Sequence, residues 1–135
     1  KLSDDLSRII SEPVEIFRAD SPSWTNKRVT DGCFMHRLSD GRLLMLWSNF
    51  EDNGYCIGIA HSRNGEVSGQ WVHENAPLYK RNDIDHYDGG HGMIFTDTDG
   101  KQYLCCHSPN QPCEECKERT VLLSVTERNG TLCIK

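Results

Sequence analysis

No stretch of this 135-residue chain approaches the ~20 consecutive apolar residues that a membrane helix needs. None at the N-terminus has the layout of a secretion signal. Basic residues are interspersed among acidic ones, 15 against 20 for a net charge of -5. They form no basic stripe, so neither a nucleic-acid nor a membrane partner is expected. The cysteines (Cys33, Cys56, Cys105, Cys106, Cys113, Cys116 and Cys133) are odd in number and cannot all pair within the chain. Adjacent Cys105 and Cys106 also suit a disulfide framework poorly. Such usage fits a reducing cytoplasm, where cysteine serves as a small apolar residue. The chain opens on Lys1 rather than a methionine, and a processed, trimmed or incomplete chain is expected. What remains, 36% hydrophobic with mean hydropathy -0.61, is the composition of a soluble globular domain with a modest core.

Residues 1–29 carry little periodicity. Leu2 to Ile10 reads as a turn or short helix opened by Ser3, Asp4 and Asp5, and Val14 to Phe17 as a possible strand. After Thr30 the pattern changes to apolar runs separated by turns. The runs are Cys33 to Leu38, Leu43 to Trp47, Tyr55 to Ala60 and Gln70 to His73, with turns at Ser39-Asp40-Gly41 and Asn64-Gly65. The same order returns in Met93 to Phe95, Gln102 to Cys106, Val121 to Val125 and Leu132 to Ile134. Asp40-Gly41 and Asp99-Gly100 set the repeat at 59 residues. Four antiparallel strands, repeated, are the signature of propeller blades, whose usual period of about 40–50 is lengthened here by loops. A small two-sheet β-sandwich is the alternative. The predicted units are 1–29, the end of a preceding blade and its connection, then blades at 30–80 and 81–135.

In a blade, the start of the first strand and the end of the second lie at the same face. That geometry gathers Asp31 and Gly32, Ser48 to Gly54, Gly90 and His91, and His107 to Lys117 at one mouth. Asp31 is either a turn aspartate bonded to its own backbone or a carboxylic acid able to protonate a leaving group. His91, flanked by glycines in Asp88-Gly89-Gly90-His91-Gly92, is either structural or an imidazole held where backbone or ligand comes close. Cys113-Glu114-Glu115-Cys116 has zinc-knuckle spacing, with Cys105, Cys106 or His107 as further ligands, but adjacent strand residues point opposite ways. Asp83 to Asp88 reads as a solvated acidic loop, with cation binding as the alternative. Trp47 and Trp71 read as packing residues. Trp24, in a loop before Asp31, is the one candidate among them for contact with a ligand, packing being the alternative.

Val29-Thr30-Asp31-Gly32, Leu43-Leu44-Met45-Leu46-Trp47-Ser48, Gly89-Gly90-His91-Gly92-Met93-Ile94-Phe95 and His107-Ser108-Pro109-Asn110 together resemble glycoside hydrolase family 43. Leu2-Ser3-Asp4-Asp5-Leu6 resembles the end of the preceding blade in that family. The resemblance implies an all-β fold: two consecutive four-stranded blades from the C-terminal part of a five-bladed propeller, an incomplete ring. It implies an inverting enzyme removing terminal arabinofuranosyl or xylosyl units from plant-type glycans. Asp31 then falls at the general acid, although the family usually has glutamate there and proline where Cys33 stands. His91 matches a central histidine that helps hold calcium or water in the channel, and Arg119 an arginine that contacts the sugar. The general base and the aspartate that tunes the acid belong to earlier blades. The chain alone is therefore expected to be inactive, its partners being a carbohydrate substrate and the remaining blades. A non-catalytic β-repeat module that binds glycan or protein is the competing reading.

Overall fold

The computed structural model describes residues 1–135 and is all-β. Eight strands are present: β1 (Asp31–Arg37), β2 (Leu43–Glu51), β3 (Gly54–Ser62), β4 (Trp71–His73), β5 (Gly90–Thr96), β6 (Gln102–Ser108), β7 (Arg119–Arg128) and β8 (Thr131–Ile134). They form two antiparallel sheets, ordered β1-β2-β3-β4 and β5-β6-β7-β8. No helix is long and apolar enough to cross a membrane. Each sheet opens with the same hairpin. In the first, the Gly41 amide donates to Leu38 and the Leu38 amide to Arg42; in the second, Gly100 donates to Asp97 and Asp97 to Lys101. Gly41 (φ +88°) and Gly100 (φ +79°) take the left-handed backbone that such turns require.

The strands obey the alternation of a pleated chain. In β2, Leu44 and Leu46 face the second sheet, while Met45 and Trp47 face away from it. Leu44, Leu46, Ile57 and Ile59 meet Ile94, Leu104, Cys106, Leu123, Val125 and Leu132 in one cluster between the sheets. Each fully buried leucine or isoleucine there contributes roughly 1.5–3 kcal/mol. Burial also pushes the Cys106 thiol up to about 12, so it remains a neutral apolar group. The opposite face of the first sheet is covered by the segment before β1. Ile16, Phe17 and Trp24 pack on Met45, Trp47 and Ala60, and the buried Asn49 amide donates to Ala19 O at 3.0 Å.

Polar ties join the sheets where apolar packing stops. Glu127 of β7 accepts from the amide and hydroxyl of Ser39, and Glu74, just past β4, accepts from Thr131 of β8. Burial alone would raise the Glu74 carboxyl, but its bonds to His61 and Thr131 outweigh that and hold it below the usual range. The strongest tie is Asp88, 2% exposed. Its Oδ2 accepts the Tyr55 amide at 2.9 Å and its Oδ1 the Asn110 amide at 3.1 Å, with Arg81 Nη2 at 3.7 Å.

Several sequence expectations change. Val14 to Phe17 is not a strand: Ile16 and Phe17 pack against the Trp47 cluster, Val14 stays exposed, and the backbone joins no sheet. Of the turn or short helix expected for Leu2 to Ile10, the turn is what forms. It closes as a loop with Leu2 bridged to Ile9, and the Asp5 carboxylate accepts from Ser3 and Ser7 inside it. The acidic stretch 83–88 is not wholly solvated, since its last carboxylate is the buried clamp.

Replacing Asp88 by Ala leaves two inward amides without acceptors, at a cost of ~1–3 kcal/mol each. Asp88→Ala is expected to lower the urea unfolding free energy by about 2–5 kcal/mol. Asp88→Asn, which keeps one acceptor oxygen, should lose roughly half of that.

Candidate active site

The first strands of the two sheets open with the same irregularity. Asp31 pairs with Ser48 and Gly90 with His107, and in both strands the register slips before the next pair, Phe34 with Leu46 and Met93 with Cys105. These pairs are 59 residues apart, so each residue of the first bulge has a counterpart in the second. Gly32 at φ +56° corresponds to His91 at φ +57°. Glycine adopts this left-handed conformation freely, whereas a residue with a Cβ does so at a cost of roughly 1–2 kcal/mol. Such strain in a non-glycine residue concentrates at functional sites.

The bulges bring their contents together at one rim of the two sheets. His91 Nδ1 lies 3.5 Å from Asp31 Oδ2, longer than an ordinary direct hydrogen bond, so the imidazole and the carboxyl face each other across a narrow gap. The His91 amide donates to Ser48 Oγ at 2.9 Å. A Cβ on Gly32 would stand 2.8 Å from the His91 Cα, so glycine is required for this approach. Asp31 Oδ1 accepts the Gly32 amide at 2.9 Å, and Oδ2 accepts the Tyr55 phenol at 2.9 Å. Asp31 thus bonds the adjacent backbone, as a turn aspartate does, and also faces the imidazole.

Three further residues complete the rim. The repeat places Ser48 and His107 near the mouth and Tyr55 at the start of a strand, and of the three the sequence gives a candidate role only to His107, as a zinc ligand. Tyr55 is 3% exposed, and its ring stacks on His107 with centroids 5.7 Å apart at 16°. Burial, and next the bond to Asp31, push its phenol far above the ordinary tyrosine value. It therefore stays protonated and donates. His107 Nε2 is 3.2 Å from Asn110 Oδ1, and its ring centre is 6.2 Å from that of His91. The Asp31 and His91 side chains are 51% and 54% exposed, so this face is open to solvent. A depression of about 470 Å³ lies between Glu74, Leu78 and Leu132, and none of the rim residues lines it.

Arg119 and Trp24 are not brought to this pair. Arg119 places its guanidinium 3.9 Å from Asp85, against Cys116 Sγ and over the Tyr87 ring at 5.8 Å. Trp24 lies on the far face of the first sheet, its ring 5.4 Å from Trp47 and against Gly58, where it serves as core. Nor is there a group of three or more His, Cys, Asp or Glu side chains able to hold a metal. Cys113 and Cys116 are not joined by Cys105, Cys106 or His107 into a zinc site. Calcium takes six to eight oxygen ligands, and one imidazole beside one carboxylate does not supply them. These residues by themselves do not fit a calcium site.

No protein-family model and no curated protein matches the sequence. Solved structures do match it. An endo-arabinase from Bacteroides thetaiotaomicron is 34% identical, with a TM-score of 0.81 over 96% of this chain and 45% of that one. A thermostable family-43 glycoside hydrolase is 20% identical, with a TM-score of 0.82 over 99% of this chain and 45% of that one. An α-L-arabinofuranosidase from Lactobacillus brevis is 20% identical, with a TM-score of 0.70 over 90% and 42%. The last two likenesses are of fold. The two sheets thus have the fold of glycoside hydrolases. More particularly, the chain resembles those of family 43 across nearly all of its length, and it spans less than half the length of the structures it matches.

A Cβ on Gly90 would stand 2.1 Å from the Tyr55 ring. Gly90→Ala is expected to push that ring off His107 and lengthen the phenol–Asp31 contact beyond 3.5 Å, with a stability loss of about 1–3 kcal/mol. A crystal structure of the variant and its unfolding curve measure the two effects.

Proposed function

We propose that this chain is the C-terminal portion of an inverting glycoside hydrolase built on a five-bladed propeller. Its two sheets would be the fourth and fifth blades, residues 1–29 the end of the third, and the ring incomplete without the others. The observation that carries the reading is the meeting of Asp31 with His91 through paired bulges, one of which holds a histidine in a left-handed backbone. An exposed carboxyl at a mouth where two blades converge suits a general acid, which protonates the glycosidic oxygen as the bond breaks. Inversion needs a second carboxylate across the sugar, at roughly 6.5–9.5 Å, to activate water. No other carboxylate is paired with Asp31, so that base is proposed to come from a preceding blade.

Arabinofuranosyl or xylosyl units of plant-type glycans are the proposed substrate. Support comes from the 34% identical endo-arabinase, which favours the arabinose side of that class. His91 is the proposed centre of the channel, reaching substrate or water. Calcium at that point would draw its oxygen ligands from the other blades. Trp24 and Arg119 have no part in the proposed chemistry, since Trp47 and Asp85 engage them. A reducing cytoplasm remains the proposed location, in keeping with seven free thiols of which Cys56 and Cys106 are buried.

Two measurements test the reading. This chain assayed alone on aryl arabinofuranosides and xylosides is expected to show no turnover, because the base is elsewhere; robust turnover would overturn that division of labour. In the protein completed with the remaining blades, Asp31→Ala is expected to cut hydrolysis of unactivated glycosides by about 10²–10⁴-fold. Unchanged activity would remove Asp31 from the mechanism and favour a binding module.

A further inference from the structure

We propose that Tyr55 is the positioning residue of the Asp31 carboxyl, holding it in the one orientation from which the acid proton is delivered. This rests on the reading of Asp31 as general acid.

Asp31 sits on a first strand at an open rim, with its side chain half exposed. Left to itself, such a carboxyl would rotate among several orientations, whereas proton delivery requires one. Two bonds restrict it. The Gly32 amide reaches Oδ1 but comes from the adjacent residue, so it constrains the torsions only locally. The Tyr55 phenol reaches Oδ2 from β3, 24 residues away in sequence. His91 Nδ1 stands on the same Oδ2 side at 3.5 Å. Each carboxyl oxygen thus accepts one hydrogen bond and keeps a lone pair, and the bond from Tyr55 is the one that reaches Asp31 from another strand.

Tyr55 is itself immobilised to a degree that a merely convenient donor would not need. Its amide is bonded to Asp88 Oδ2, its ring stacks on His107 and lies 4.8 Å from Phe50, and Gly90 leaves no gap beneath it. Three separate segments thus converge on one ring, and its phenol donates to Asp31. The groups facing that carboxyl are the phenol from β3, the imidazole from β5 and, on its own strand, the thiol of Cys33. Among these, the phenol is the one that is both buried and held within hydrogen-bond distance.

The test uses the protein completed with the remaining blades. Tyr55→Phe keeps the ring and removes the hydroxyl. A positioning role predicts a kcat about 10–100-fold lower on unactivated glycosides, which need the acid's proton. It predicts a change below about 3-fold on dinitrophenyl glycosides, whose leaving group departs unprotonated. KM should stay within about 2-fold and Tm within about 4 °C, since the ring packing is retained. In an Asp31→Ala background the same substitution should cost nothing further, because its effect passes through Asp31. Equal losses on both substrate classes, or a full additional loss in that background, would show a structural role and overturn the proposal. If Asp31→Ala is inactive and Tyr55→Phe matches the unsubstituted enzyme, positioning fails and the acid assignment stands. If Asp31→Ala is fully active, the acid assignment fails and takes the positioning role with it.

Discussion

The Asp88 carboxylate lies buried where the two sheets meet, with one oxygen on the amide that begins β3 and the other on the loop after β6. An ionised group in that position is costly unless both oxygens are satisfied, and these backbone amides satisfy them. The consequence is geometric. Tyr55 is tied to the second sheet through its backbone, and the Asp88 carbonyl accepts the buried Ser108 hydroxyl at 2.9 Å. At the rim this clamp sets the start of β3, and with it Tyr55 against Gly90 and the phenol on Asp31. The apolar cluster below supplies most of the stabilisation but little of this precision, because hydrophobic burial is non-directional.

Much of the architecture was legible because strands obey local rules. The turns Asp40-Gly41 and Asp99-Gly100 gave the 59-residue spacing, and that spacing correctly paired Asp31 with Gly90 and Ser48 with His107. The convergence of Asp31 and His91 followed from it, since strand direction alone decides which ends share a face. Trp47 and Trp71 also packed as their surroundings indicated. What the pattern could not reveal depended on long-range partners. Tyr55 opens an apolar strand and looks like core, and only its partner across 24 residues gives its hydroxyl a role. Asp88 resembles the other acids of its loop, yet it is the one turned inward. Trp24 follows Ser21-Pro22-Ser23 and reads as an exposed loop aromatic. Its neighbour in space is Trp47, and no local signal announces that.

The two sheets follow one backbone plan, so their differences at matched positions are informative. At the left-handed point of the bulge the first sheet has Gly32, which meets the backbone requirement without strain. The second has His91, which meets it with strain. Packing does not call for an imidazole here, as half of the side chain faces solvent. At the paired positions, Ser48 is fully buried and caps the His91 amide, while His107 stacks on Tyr55. The first sheet thus contributes the carboxylate, the phenol and the hydroxyl, and the second contributes two imidazoles and the glycine that admits the phenol ring. Neither sheet holds both halves of the constellation. The constellation exists only at their junction, and the buried Asp88 carboxylate at that junction helps set its geometry through the backbone of Tyr55.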